Sequence, residues 1–196
     1  MTVHLPPLPP TPGDGYRPGG RNLVDIIEAE HRELLELVGE ATAAGTSPPR
    51  REEVLDVFTA VLVRHLSGEE QYLFPAARHA VPGAGERIDR AIAGDAGLLA
   101  AARDLPDGGL PDLVEELRRH VDGVNALLGP LRAAASEEEL IRLGNRLEIA
   151  EEAAPTRPHP GNPHTPPWNR IVDPAVGVVD KVRDAVSGRH THRSDL

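Results

Sequence analysis

His65-Leu66-Ser67-Gly68-Glu69-Glu70-Gln71-Tyr72-Leu73-Phe74-Pro75 sets a histidine four residues ahead of a carboxylate inside an apolar, helical run. Residues i and i+4 share one face of an α-helix, so His65 and Glu69 point the same way. Phe58, Val61, Leu62, Tyr72 and Leu73 fall on that face too, which marks it as core. A buried ionised carboxylate beside a histidine is costly unless a metal ion or a buried ion pair compensates it.

This stretch belongs to a helix of about 50–80, with Val54, Phe58, Val61, His65, Glu69, Tyr72 and Ala76 on one face and Pro75 near its end. Upstream, Asn22 caps a helix of about 22–44 whose stripe is Leu23, Ile27, Leu34 and Val38, with His31 between Ile27 and Leu34. Downstream, a third helix of about 84–104 carries Ile88, Ile92, Leu99 and Ala102, and Asp95 sits on the same stripe. Pro111 suits the first turn of a fourth helix, about 110–135, faced by Leu113, Leu117, His120, Val124, Leu127 and Leu131. Ser136 and Glu139 form a capping box that opens a fifth, mostly polar helix to about 153. No strand is legible. The expected fold is all-α: an antiparallel up-down-up-down four-helix bundle with an extra polar helix.

The ends differ in character. Residues 1–21 read as a flexible Pro/Gly-rich arm, 22–153 as the bundle domain, and 154–196 as a Pro-rich extended strap, a short amphipathic helix and a tail. The short helix is expected over 174–187, with Val178, Val182 and Ala185 on its apolar side, and it offers a surface to a protein partner. His4, His159, His164, His190 and His192 fall in irregular segments and His79 near a helix end. Glu70 is expected to be solvated, and Tyr72 to pack in the core.

Composition removes several function classes. With no cysteine, disulfides, thiolate chemistry and zinc fingers are excluded. Lys+Arg 21 against Asp+Glu 31 gives a net charge of −10, which argues against nucleic acid and anionic membranes as partners. No signal peptide or spanning run is present, so the expected location is cytoplasmic. There is no phosphate-binding glycine loop and no nucleophile motif, so no catalytic residue is assigned.

The fourth helix echoes the second. His120-Val121-Asp122-Gly123-Val124-Asn125-Ala126-Leu127-Leu128-Gly129-Pro130 has the same length as His65 to Pro75, with Val124 where the first copy has Glu69. The pattern reads as a duplicated helical pair whose second copy lacks the carboxylate.

On these residues the chain resembles the hemerythrin-like family of HHE cation-binding domains, over about 22–135, in a form with a Pro-rich C-terminal extension like those of actinobacteria. The resemblance implies a non-haem di-iron centre inside a four-helix bundle that binds, reacts with or senses dioxygen, nitric oxide or peroxide. By position it makes His31, His65 and His120 histidine ligands and Glu69 a bridging carboxylate. Two positions depart: Asp95 stands where the family has a third-helix histidine, and Val124 replaces the second bridging carboxylate. Asp95 reads either as an oxygen ligand or as a buried acid paired with His120. The five donors His31, His65, Glu69, Asp95 and His120 are expected to hold one or two irons, with manganese and zinc left open. A firm site would use His31, His65 and Glu69, and a weaker one Asp95 and His120. The competing expectation is a metal-free bundle acting as an interaction or regulatory module. A third is turnover of peroxide or nitric oxide.

Overall fold

The computed structural model describes residues 18–103, 105, 109–157, 180, 183–184, 187 and 189–196. Helix α1 spans Leu23–Thr42 and α2 Pro48–Gly68; a π-helical turn, Glu69–Leu73, joins α2 to α3, Phe74–Ala80. Helix α4 covers Gly85–Arg103, α5 Leu110–Ala134 and α6 Glu137–Ala153. No strand occurs among the described residues. The expected strap beyond Arg157 and the apolar side chains of the expected 174–187 helix lie outside them.

Local chemistry sets the helix ends. The Asn22 side chain accepts the Asp25 amide at 2.9 Å, starting α1. At α6, Ser136 Oγ accepts the Glu139 amide while the Glu139 carboxylate accepts the Ser136 amide at 2.9 Å, completing the capping box. Gly83, at φ +73°, turns the chain between α3 and α4 in a conformation that only glycine adopts cheaply.

The π turn corrects the expected face. The Phe74 amide reaches back to the Glu69 carbonyl, five residues earlier, so the helix face slips by one residue beyond this point. Leu73, Phe74 and Ala77 become the buried positions, whereas Tyr72 and Ala76 are only half-buried. Val61, also expected on the face, is half-buried as well. Glu70, expected in solvent, is 6% exposed. Helix α6 packs on α1, α2 and the π turn. Its approach depends on Gly68 and Gly144. A Cβ on Gly144 would lie 2.3 Å from the Arg21 carbonyl, and one on Gly68 2.8 Å from the Glu151 carboxylate.

Two apolar clusters fill the bundle. One gathers Ile27, Leu73, Phe74, Ile88 and Val124 with their neighbours; the other gathers Leu34, Phe58, Leu62, Leu98 and Leu117 with theirs. Along each helix the chain passes from one cluster to the other through a polar residue. Helix α1 runs Ile27, His31, Leu34; α4 runs Ile88, Asp95, Leu98; α5 runs Leu117, His120, Val124. Helix α2 and its π turn supply His65 and Glu69 at the same level. A single buried polar layer thus divides the core.

Candidate metal centre

In that layer the donor atoms of His31, His65, Glu69 and His120 lie within 4.8 Å of one another. The three imidazoles stand edge-on to each other, with ring centroids 4.9, 5.5 and 5.5 Å apart. Each turns its Nε2 inward. His31 Nε2 lies 3.5 Å and His65 Nε2 3.2 Å from Glu69 Oε1, and His120 Nε2 lies 3.4 Å from Glu69 Oε2. The Nε2 atoms of His65 and His120 are 3.3 Å apart.

The outer nitrogens explain the inward ones. His31 Nδ1 meets Asn125 Oδ1 at 3.0 Å, His65 Nδ1 meets Glu30 Oε2 at 2.8 Å, and His120 Nδ1 meets Asp95 Oδ1 at 2.9 Å. All three partners are oxygen acceptors, so each Nδ1 donates its proton outward. That tautomer leaves a lone pair on Nε2, directed at the common centre. Oxygen partners behind metal-bound histidines also fix ring orientation and raise ligand basicity.

A metal ion fits this set. Donors held about 2.0–2.2 Å from one ion stand roughly 3.0–3.5 Å from each other in tetrahedral or octahedral arrangements. Four of the separations, 3.2 to 3.5 Å, fall in that range, and all the donor atoms lie within 4.8 Å of one another. His31 Nε2 and both carboxylate oxygens of Glu69 are fully buried with no hydrogen-bond partner. Buried polar atoms in native proteins are almost always satisfied. Here the orphaned atoms share a single centre, where one cation would serve all of them.

The electrostatics describe the metal-free form. Burial lowers the pKa of His31, favouring its neutral state. Burial also opposes the charge on His65, but the carboxylates of Glu69 and Glu30 outweigh it and hold that pKa well above the ordinary histidine range. Burial raises the Glu69 carboxyl, yet His65, His120 and His31 together hold it far below the usual carboxylate range. Without metal, the layer is held by an imidazolium–carboxylate pair, and a bound cation would take the place of that proton.

Of the five expected donors, the structure brings together His31, His65, Glu69 and His120. Asp95 stands apart, on the Nδ1 side of His120, which matches the paired-acid reading of that residue. Its carboxyl is raised by burial, against the hydrogen bond from His120. Val124 lies fully buried in the apolar cluster. Sequence reasoning missed Glu30 and Asn125. Glu30 adjoins His31 in the chain but serves His65 on the next helix, so spacing within one helix gives no sign of it. Asn125 follows Val124 and reaches across to α1 in the same way. His79 is exposed, as expected, and His190 and His192 lie outside any α-helix.

The model of the hemerythrin HHE cation-binding domain matches residues 22–139. An uncharacterized hemerythrin-like protein of Schizosaccharomyces pombe is 32% identical over 76 residues, covering 38% of this chain and 37% of that protein. The match therefore spans little more than a third of the relative's length. No solved structure matches the chain. The helical bundle, its polar layer and the family match agree: the chain belongs to the hemerythrin HHE cation-binding family.

Proposed function

We propose that this protein holds a single first-row transition-metal ion, iron, through His31, His65, Glu69 and His120, and uses it to bind or sense a small gas or peroxide. The observation that carries this reading is the convergence of three Nε2 lone pairs and an orphaned buried carboxylate on one centre. Mixed imidazole and carboxylate donors suit iron, with manganese and zinc as the competitors. Such an ion would supply an open coordination position for a small ligand. The chain's own residues do the rest. Glu30, Asp95 and Asn125 orient the imidazoles, Glu69 neutralises charge, and the two apolar clusters keep bulk water from the layer.

One ion, rather than two, follows from Val124 and Asp95. Val124 offers no donor atom, and Asp95 lies behind His120, on its Nδ1 side, outside the converging set. With the second bridging carboxylate replaced by Val124, the reading is binding or sensing rather than turnover. Metal analysis and an absorption spectrum of protein from iron-supplemented cells test it: one iron per chain is expected, and a metal-free protein after reconstitution would refute it.

The second reading, a metal-free bundle acting as an interaction module, draws on the same two departures. It requires equal thermal stability with and without metal. The convergence of His31, His65 and His120 on Glu69 favours the metal-bound reading over it, because a cation at that centre would serve donors that one shared proton cannot all satisfy.

A further inference from the structure

Residues 189–196 run back across the bundle and are tied to α1 and α2. Arg189 donates to the Asp56 carboxylate at 2.6 Å and to the Asp56 carbonyl at 3.1 Å. The Arg64 guanidinium donates to the Thr191 carbonyl and lies 3.3 Å from the His192 ring. Arg193 pairs with Glu36 at 3.0 Å, and Arg50 donates to the Leu196 carbonyl at 2.9 Å.

His192 and Arg193 thereby rim a cleft of about 350 Å³ that also reaches Glu30 and His65. Its walls carry Glu33, Glu148, Glu151 and Glu152, with Arg64 among them. Glu151 Oε1 is buried there without a partner. Glu33, Glu148 and Glu152 outweigh Arg64 in the walls and favour a cation, whereas Arg193 across the mouth offsets that charge and His192 narrows it. A second cleft, between α4 and α5, reaches Asp95 and His120, but there Arg87, Arg90 and Arg119 outnumber the acids, Asp95 and Glu116. That rim disfavours a cation.

We propose that residues 189–196 form a strap that gates the passage of a divalent cation through the acidic cleft to the buried layer. This inference rests on the metal-binding reading above and adds the route and its control. Arg189 is a largely buried anchor that also bonds the Thr156 carbonyl and Asp184, whereas Arg193–Glu36 beyond it is an exposed, weak pair, so residues 191–196 release more readily than the core unfolds. Release removes His192 and Arg193 from the mouth and leaves Arg64 among the carboxylates of the walls.

The test is the rate at which the metal-free full chain takes up cobalt(II), followed by its ligand-field absorption. Two variants are compared with it: Asp56→Asn, which loosens Arg189 at a point outside the cleft, and a chain lacking residues 191–196. Thermal melts verify that both fold. Both variants are expected to load about fivefold faster than the full chain and to reach the same final metal content, as for a gate held by one or two weak ties. A strapless variant that loads within about twofold of the full chain overturns the gate. If none of the three takes up metal, the metal-binding reading fails, and the gate with it; equal rates with full loading would strike the gate alone.

Discussion

The segments His65–Pro75 and His120–Pro130 have matched ends and opposite interiors. Each begins with a buried histidine and closes on a proline within a helical stretch. After His65 comes Glu69, then a π turn in which the Phe74 amide bonds the Glu69 carbonyl. After His120 comes Val124, and α5 continues without a π turn past Pro130. Proline lacks the amide that would have bonded the Ala126 carbonyl, and Arg87 donates to that carbonyl instead, at 3.3 Å. The first segment turns its fifth residue into a donor at the centre; the second turns the equivalent residue into core. One carboxylate is therefore surrounded by three histidines. The comparison teaches that a repeated helical pair can lose half of its donors while its packing survives, because valine fills the space with no charge to compensate.

The largest effect is expected on removing the first segment's histidine. In His65→Ala, metal content should fall below about one-tenth of the wild-type value, and the unpaired buried charge of Glu69 should cost about 3–5 kcal/mol in chemical denaturation. Full metal content in the purified variant would break the site assignment. Next is a variant that erases the difference between the segments. Val124→Glu places a carboxylate one turn after His120, as Glu69 follows His65. Metal analysis should then rise from one ion per chain toward two, while the metal-free variant loses about 2–4 kcal/mol to the buried charge. An unchanged count of one would show that more than the missing carboxylate separates the two segments.

A smaller effect tests the support behind His120. Asp95→Asn keeps an oxygen acceptor but removes the charge, so metal affinity in competition titrations should drop about tenfold, at the low end for such outer partners. A complete loss would mean that Asp95 binds the ion directly. The last test is a pH profile and concerns Glu151. Burial, reinforced by the neighbouring Glu30 carboxylate, raises its pKa to about 9. A carboxyl raised on folding binds more protons in the native state, so its stabilising contribution is whole below the unfolded value near 4.5 and is lost as pH rises toward 9. Metal-free wild type should therefore lose stability over that window, with a slope of at most about 1.4 kcal/mol per pH unit from this group. Glu151→Gln should flatten the slope, and parallel pH profiles would contradict this origin.

How much of this was legible in the sequence follows from the kind of physics involved. Helix existence and the phase of His31, His65 and His120 came through because apolar periodicity is local and each histidine interrupts a stripe in register. The π turn did not, because a slip of one residue leaves no compositional mark; Tyr72 and Ala76 were accordingly placed too deep. The burial of Glu70 left no mark either, because what covers a position beside the donor face is set by packing and not by local sequence. Glu30 and Asn125 escaped because their partners lie on other helices, and such pairings appear only once the packing is known. Asp95 could be read two ways from its stripe, and the hydrogen bond to His120 Nδ1 is what its position in the bundle supplies.

The central claim is a single ion held by three histidines and one carboxylate. Its most direct test is metal quantification of reconstituted protein, paired with X-ray absorption of the iron-loaded form. The account predicts one iron per chain, about three nitrogen ligands and no second iron in its neighbourhood. Two irons per chain with an iron–iron scattering path, or no bound iron and an unchanged melting temperature, would contradict it.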